Sequence, residues 1–286
     1  MTRLPALLAA ALCAVLLGTW AAPASAQNAD TYKPTVGQEG KDVIWVPTPP
    51  ALVERMLRMA QVTARDFVVD LGSGDGRIPI AAAKTFGARA MGIEYNPDMV
   101  RLSVRLARET GVADKVQMVE GDIFEKDFAS ATVVTTYLLT ELNLRLRPKL
   151  LDMKPGTRVV AHLFGMGDWQ PDETSVVEGR PAFLWIVPAR VNGRWKVSLP
   201  MAGSSKTRQA TLDIEQQFQK ISGVINFGRM NTTLRDPLLR GDAIRFWLTD
   251  EDGRPREYAG RVAGNSMSGS VGRQRWTAEK ADAAKP

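Results

Sequence analysis

One cysteine, Cys13, and one histidine, His162, occur in 286 residues. Cys13 lies within an apolar run at residues 4–20, preceded by Arg3 and followed by Ala24-Ser25-Ala26, the small-x-small pattern at which export signals are cut. Cleavage after Ala26 leaves a mature chain with no cysteine, which excludes disulfide staples and thiol nucleophiles. With one histidine and no thiol, the usual ligand sets for a transition metal are missing as well. The run falls short of the ~20 residues of a bilayer span, so an uncleaved membrane anchor is the second reading and a cleaved, exported, periplasmic protein the first. Dense Lys/Arg runs are also absent. The formal net charge of +6 suits an acidic partner, a membrane surface or plain solubility, and gives no sign of nucleic-acid binding. No internal repeat stands out.

What the chain does carry is concentrated at residues 68–77, VVDLGSGDGR. Two β-branched residues, an aspartate and three alternating glycines read as a buried parallel strand that turns tightly into a helix. Gly72, Gly74 and Gly76 would permit positive φ and close backbone approach, and a helix start facing that turn offers unpaired N–H groups. The third glycine comes one residue earlier than in the dinucleotide fingerprint. Asp70, two residues before the first glycine, suits a cationic group better than a pyrophosphate. A second apolar run, residues 88–93, ends at Glu94, and a third, residues 116–119, leads to Gly121 and Asp122. Each acid alone also reads as a turn cap or a solvated side chain. Together they mark three successive strand ends converging on one crevice. Helical patterns at 52–60, 78–85, 96–110 and 142–151 alternate with further strands at 131–137 and 157–164, so the fold class expected is α/β, a doubly wound parallel sheet.

As a set, Asp70 to Gly76, Glu94 and Asp122 resemble the class I S-adenosylmethionine-dependent methyltransferases. The longer strings VPTPP (46–50), GIEYNP (92–97) and VVTTYLL (133–139) resemble one branch of them, the lysine methyltransferases of the ATP synthase c-ring protein and the adenine nucleotide translocase, with their bacterial relatives. That likeness spans residues 42–170. It implies S-adenosyl-L-methionine as cofactor, with Asp70, Gly72, Ser73, Gly74, Asp75 and Gly76 at the amino-acid end. Glu94, with Asn96 beside it, would take the ribose hydroxyls, Asp122 the adenine amine, and Ile123 or Phe124 the ring face. Thr48, within VPTPP, is either a helix start or part of a lid over the methionine end. The fourth strand end would meet the acceptor, with Tyr137 walling a lysine channel and Glu141 attracting the cation; both also read as ordinary packing and surface charge. His162 reads as a strand-end core residue or a general base. The missing Asn/Asp-Pro-Pro-Tyr string disfavours amide and base nitrogens as acceptors. The resemblance thus implies N-methylation of a lysine on a protein substrate, membrane-associated in the family context, with neither metal nor nucleic acid. An exported nucleoside-binding protein without turnover and a small-molecule methyltransferase are the alternatives.

Beyond residue 181 the period changes. Runs at 183–191 and 195–199 flank Asn192-Gly193-Arg194, a hairpin signal expected to close the parallel sheet with an antiparallel pair. The resulting division is a signal at 1–26, a flexible leader at 27–41, a cofactor domain at 42–203, a small antiparallel β domain at 205–277 and a disordered tail at 278–286. The tryptophans 169, 185, 195, 247 and 276 read as core packing first and as a binding face second.

Overall fold

The computed structural model describes residues 32–201, 206–249 and 253–281. The export signal, its cleavage site, residues 27–31, most of the 203–206 linker and residues 282–286 lie outside the described residues.

The chain alternates strand and helix through its first half: α1 (Pro50–Met59), β1 (Phe67–Leu71), α2 (Arg77–Phe86), β2 (Arg89–Glu94), α3 (Pro97–Glu109), β3 (Val116–Glu120), β4 (Val133–Thr136), α4 (Thr140–Leu151) and β5 (Arg158–His162). β6 (Glu173–Val177) and β7 (Arg180–Ile186) complete a seven-stranded sheet in the order β3-β2-β1-β4-β5-β7-β6, with β7 antiparallel to both neighbours. Alternate residues of each strand face opposite layers. Val68, Val133 and Val160 pack with Leu52, Met56 and Ile78 of α1 and α2, while Val69, Val134 and Val159 pack with Leu142, Leu146 and Leu150 of α4. The parallel core is thus covered on both faces, which explains its near-continuous apolar strands. The strand order reverses between β1 and β4, and in open α/β sheets that switch point opens a crevice at the carboxyl ends of the strands.

A second sheet follows: β8 (Gly193–Pro200), β9 (Thr207–Gln217), β10 (Lys220–Asn226), β11 (Asn231–Thr233), β12 (Arg235–Arg240), β13 (Ala243–Thr249), β14 (Pro255–Ala263), β15 (Ser266–Val271) and β16 (Gln274–Lys280). Its order is β11-β10-β9-β8-β16-β15-β14-β13-β12, antiparallel throughout, and it curls until β10 lies against β12. Trp195, Phe246, Tyr258 and Trp276 fill its interior, with Phe246 stacked on Tyr258 at 5.5 Å. Such side chains contribute about 1.5–3 kcal/mol each by burial. Trp169 and Trp185 are buried in the first sheet's core, also as packing residues.

Three expectations are corrected here. The 183–199 segment is not a hairpin: β7 pairs with β5 and β6, whereas β8 pairs with β9 and β16, so the second sheet starts at Gly193 rather than at 205. Both runs are apolar because both are buried, in different cores. The start of the expected tail is strand, since Ala278 pairs with Met267 in β15 and Val197 in β8 and is buried beneath them. Residues 32–41 are not a loose leader. Gly37 N–H donates to the Trp45 carbonyl and Trp45 N–H to the Gln38 carbonyl, both at 2.9 Å, making a small looped strap.

Candidate active site

A cavity of about 650 Å³ opens at the switch point. Thr48, Asp70, Gly72, Ser73, Gly74, Asp75, Glu94, Asn96, Asp122, Ile123 and Tyr137 all line it, while Gly76, Phe124 and Glu141 do not.

Asp70, one residue before the end of β1, is 3% exposed and accepts a 2.6 Å hydrogen bond from the Thr135 hydroxyl of β4. Burial pushes its carboxyl up to about 7, opposed by that bond and reinforced by the negative charge of Asp75 and Glu94. A cationic ligand would relieve this. Gly72 and Gly74 both have positive φ, and a Cβ on Gly74 would lie 2.5 Å from Trp45 Nε1, so the indole rests directly on the glycine loop. Ser73 Oγ is buried without a partner at the same place. Gly76 serves otherwise. A Cβ there would come within 2.4 Å of Met118 Cε and 2.8 Å of Ser103 Cβ, so this glycine seats α2 against β3 and α3 and does not face a ligand.

Glu94, at the end of β2, accepts from Gly74 N–H (2.8 Å) through one oxygen and from Asn96 N–H (2.9 Å) through the other. It fixes the glycine loop and the start of α3 while keeping a lone pair on each oxygen for ligand hydroxyls. Asn96 caps α3 by accepting from Asp98 N–H at 2.8 Å. Asp122 accepts from Phe124 N–H at 2.9 Å and pairs with Lys41 of the strap, and that lysine, with the backbone bond, holds its carboxyl below the usual range. Phe124 turns away to stack under the Arg145 guanidinium (3.9 Å), leaving Ile123 as the apolar lining beside Asp122. Asp75 is bound by Arg77 (Nη2 to Oδ2, 2.6 Å), whose Nη1 reaches the Thr48 carbonyl at 2.9 Å. The strap is thereby tied to both ends of the crevice.

At the acceptor side, Tyr137 packs against His162 with the rings tilted by 32° (centroids 3.8 Å apart) and stacks on Phe164 at 6.2 Å. His162 is 2% exposed, and desolvation pushes its imidazole down to about 4, so it is neutral at physiological pH and unsuited to act as a base for an ammonium. Its Nδ1 meets Thr48 Oγ1 at 3.1 Å. Thr48 does not cap α1: Pro49 holds the N-cap position, with no side-chain capping bond. Glu141 is exposed in the first turn of α4, where it complements the helix dipole; the helical phase that buries Leu142 and Leu146 turns it outward. Sequence reasoning missed Asn143, fully buried, whose amide donates to the carbonyls of Leu138 (3.3 Å), Phe164 (3.1 Å) and Gly165 (3.3 Å) and so joins the two acceptor loops. The signal was a lone amide at an apolar helix position. Trp45 and Lys41 carried none, because long-range packing alone places them.

The features so far fit S-adenosylmethionine: a buried acid awaiting a cation, a glycine loop of close approach, a diol acceptor and an acid for an amine. The ANTKMT methyltransferase domain family matches residues 70–173. A protein-lysine N-methyltransferase of Saccharolobus islandicus strain REY15A is 47% identical over 151 residues, covering 51% of this chain and 94% of that one. The ATP synthase C-subunit lysine N-methyltransferase of Mus musculus is 32% identical over 188 residues, covering 60% and 74%. A crystal structure described as an RNA methyltransferase from Salinibacter ruber in complex with S-adenosyl-L-homocysteine is 51% identical, covers 51% of this chain and 96% of that chain, and superposes with a TM-score of 0.50. The family match stops short of Gly193, leaving the second sheet outside it. With its sheet order, strand-end acids and these relatives, the chain belongs to the ANTKMT methyltransferase family and is an S-adenosylmethionine-dependent methyltransferase.

Proposed function

We propose that this methyltransferase N-methylates a lysine side chain of a protein, and that it acts outside the cytoplasm. The observation that carries the acceptor assignment is the aromatic wall that Tyr137 and Phe164 give the cavity, backed by the buried, neutral ring of His162. A lysine reaches such a site on a long apolar stem, and its ammonium, ordinarily near pKa 10.4, must lose a proton before it can attack. Desolvation favours the neutral amine, and a neutral imidazole adds no positive charge, though it takes up no proton either. Tyr137, whose own pKa burial raises, stays a neutral phenol that can accept a hydrogen bond from the amine.

Bound S-adenosylmethionine supplies the electrophilic methyl group. Asp70 would hold its amino-acid end with the Gly72–Gly74 backbone, Glu94 the ribose hydroxyls, and Asp122 the adenine amine, with Ile123 against the ring. These residues work by placement, since an in-line transfer gains most from alignment. The names of the Saccharolobus and mouse relatives favour lysine, whereas that of the Salinibacter protein points to RNA. The cofactor domain itself is electrically balanced, since residues 32–192 carry 20 basic and 20 acidic side chains, and the basic excess of the chain lies in residues 193–286, with 16 basic and 10 acidic. Export rests on Arg3, the apolar run and Ala24-Ser25-Ala26.

The test is incubation of the mature protein with methyl-labelled cofactor and a membrane extract. Protease-sensitive label recovered as methyllysine after acid hydrolysis is expected; ribonuclease-sensitive label, or label confined to small metabolites, refutes the lysine assignment. Fractionation of tagged cells tests export, which fails if the protein stays in the cytosol.

A further inference from the structure

We infer that the C-terminal sheet forms the outer support of the acceptor wall, with Phe218 as a positioning residue; this deepens the methyl-transfer reading above and rests on it. Gln217 of β9 pairs with Lys220 of β10, so Phe218 and Gln219 form a two-residue hairpin turn. Phe218 has φ of 55°, at the first turn position, which glycine commonly fills in hairpins of positive first φ. A bulky residue is strained there, and strain of this kind persists only where surrounding contacts over-determine it.

The contacts that do so come from the first sheet's acceptor loop. The Phe218 ring stacks on buried Trp169 at 6.0 Å and 21°, and the Arg147 guanidinium of α4 lies 5.3 Å from the Phe218 ring centroid. Arg147 also donates to the Met166 carbonyl at 2.9 Å and pairs with Asp168. Next to Phe218, Gln219 Nε2 donates to the Gln170 carbonyl at 2.7 Å. The turn is itself held, because Gln216 Nε2 donates to the Phe218 carbonyl (2.7 Å) and to the Ala189 carbonyl (2.8 Å).

The segment clamped in this way runs from Leu163, another non-glycine residue at positive φ (67°), to Gln170. Asn143 grips its first part at Phe164 and Gly165, and Phe218 with Gln219 grips its last part at Trp169 and Gln170. Phe164, at the first grip, lines the cavity and faces Tyr137. The cofactor acids lie on β1, β2 and the loop after β3, away from this clamp. Phe218 therefore acts on the acceptor and not on the cofactor.

The experiment compares full-length wild type with Phe218→Ala and Phe218→Tyr. For Phe218→Ala, amide hydrogen exchange across residues 163–170 is expected to quicken about tenfold while β13–β16 stay protected. The acceptor KM should rise about tenfold with the dissociation constant for S-adenosylhomocysteine unchanged. Phe218→Tyr, which keeps the ring, should restore both. Unchanged exchange in 163–170, loss of protection spreading through β13–β16, or equal weakening of cofactor and acceptor would overturn the inference. If wild type transfers no methyl to protein, the lysine reading fails, and the exchange measurement still decides the clamp.

Discussion

Replacing Asp70 by Asn separates what this acid does for the ligand from what it does to the fold. The carboxyl is 3% exposed, accepts one hydrogen bond from Thr135, and titrates at about 7 where the unfolded chain titrates near 3.8. Between those values the folded chain keeps a proton that the unfolded chain has lost, so unfolding free energy falls as pH rises. At about 1.4 kcal/mol per pH unit, the accumulated destabilisation by pH 8 is about 4 kcal/mol. Asp70→Asn removes it, retains an acceptor for Thr135 and buries an amide N–H2, at about 1–3 kcal/mol. The variant should therefore be more stable than wild type at pH 8 by about 2 kcal/mol, or roughly 3–4 °C in Tm for a chain of this length. At pH 4 the order should reverse, because there only the amide penalty remains. His162, depressed to about 4, has the opposite slope and loses stability as pH falls from its unfolded value; it acts equally in both proteins, so the difference between them is the readout. Thermal melts without cofactor from pH 4 to 8.5, with calorimetric titration of S-adenosylhomocysteine, supply the data. A variant less stable at pH 8, or one that still binds the ligand as wild type does, would refute a desolvated acid waiting for a cation.

Lys41→Ala should tighten cofactor binding severalfold and weaken its salt dependence, because Lys41 competes for Asp122; calorimetry at two ionic strengths checks this, and looser binding would instead make Lys41 a clamp. Gly76→Ala should lower stability by about 2 kcal/mol or more through the contacts with Met118 and Ser103, while the folded protein binds cofactor with unchanged affinity. Thr48→Val and His162→Phe should each cost about 1 kcal/mol of stability, and the double variant little more than either, since they break one hydrogen bond; additive losses in denaturant melts would show two separate roles. The pH–rate profile of His162→Phe should keep the wild-type shape, because the imidazole stays neutral across the working range.

The crevice was legible because the chemistry it needs sits at strand ends, where apolar runs stop abruptly at an acid. Asp70, Glu94 and Asp122 were found on that basis, and the glycine turn beside Asp70 by its spacing. Periodicity also located the parallel strands and their helices, since covering a sheet on both faces leaves nearly continuous apolar strands. Glu141 was misplaced because proximity in sequence to β4 said nothing about the phase of α4, which turns it to solvent. Gly76 looked like its two neighbours, yet its missing side chain makes room for Met118 rather than for a ligand. The strap was unreadable: Lys41 ends a polar stretch, Trp45 sits in an apolar run of only four residues, 43–46, and both are fixed by distant partners, at Asp122 and on the glycine loop. The boundary between the sheets was missed for a related reason. Asn192-Gly193 reads as a hairpin turn locally, but the partners of β7 and β8 are chosen by burial in two separate cores.

A crystal structure with S-adenosylhomocysteine bound is the most direct measurement. The ligand's amino group should lie within hydrogen-bond distance of Asp70, its ribose hydroxyls on Glu94, and its adenine amine on Asp122 with Lys41 displaced. Adenine bound elsewhere while the Lys41–Asp122 pair stays intact would contradict the assignment of the three strand-end acids.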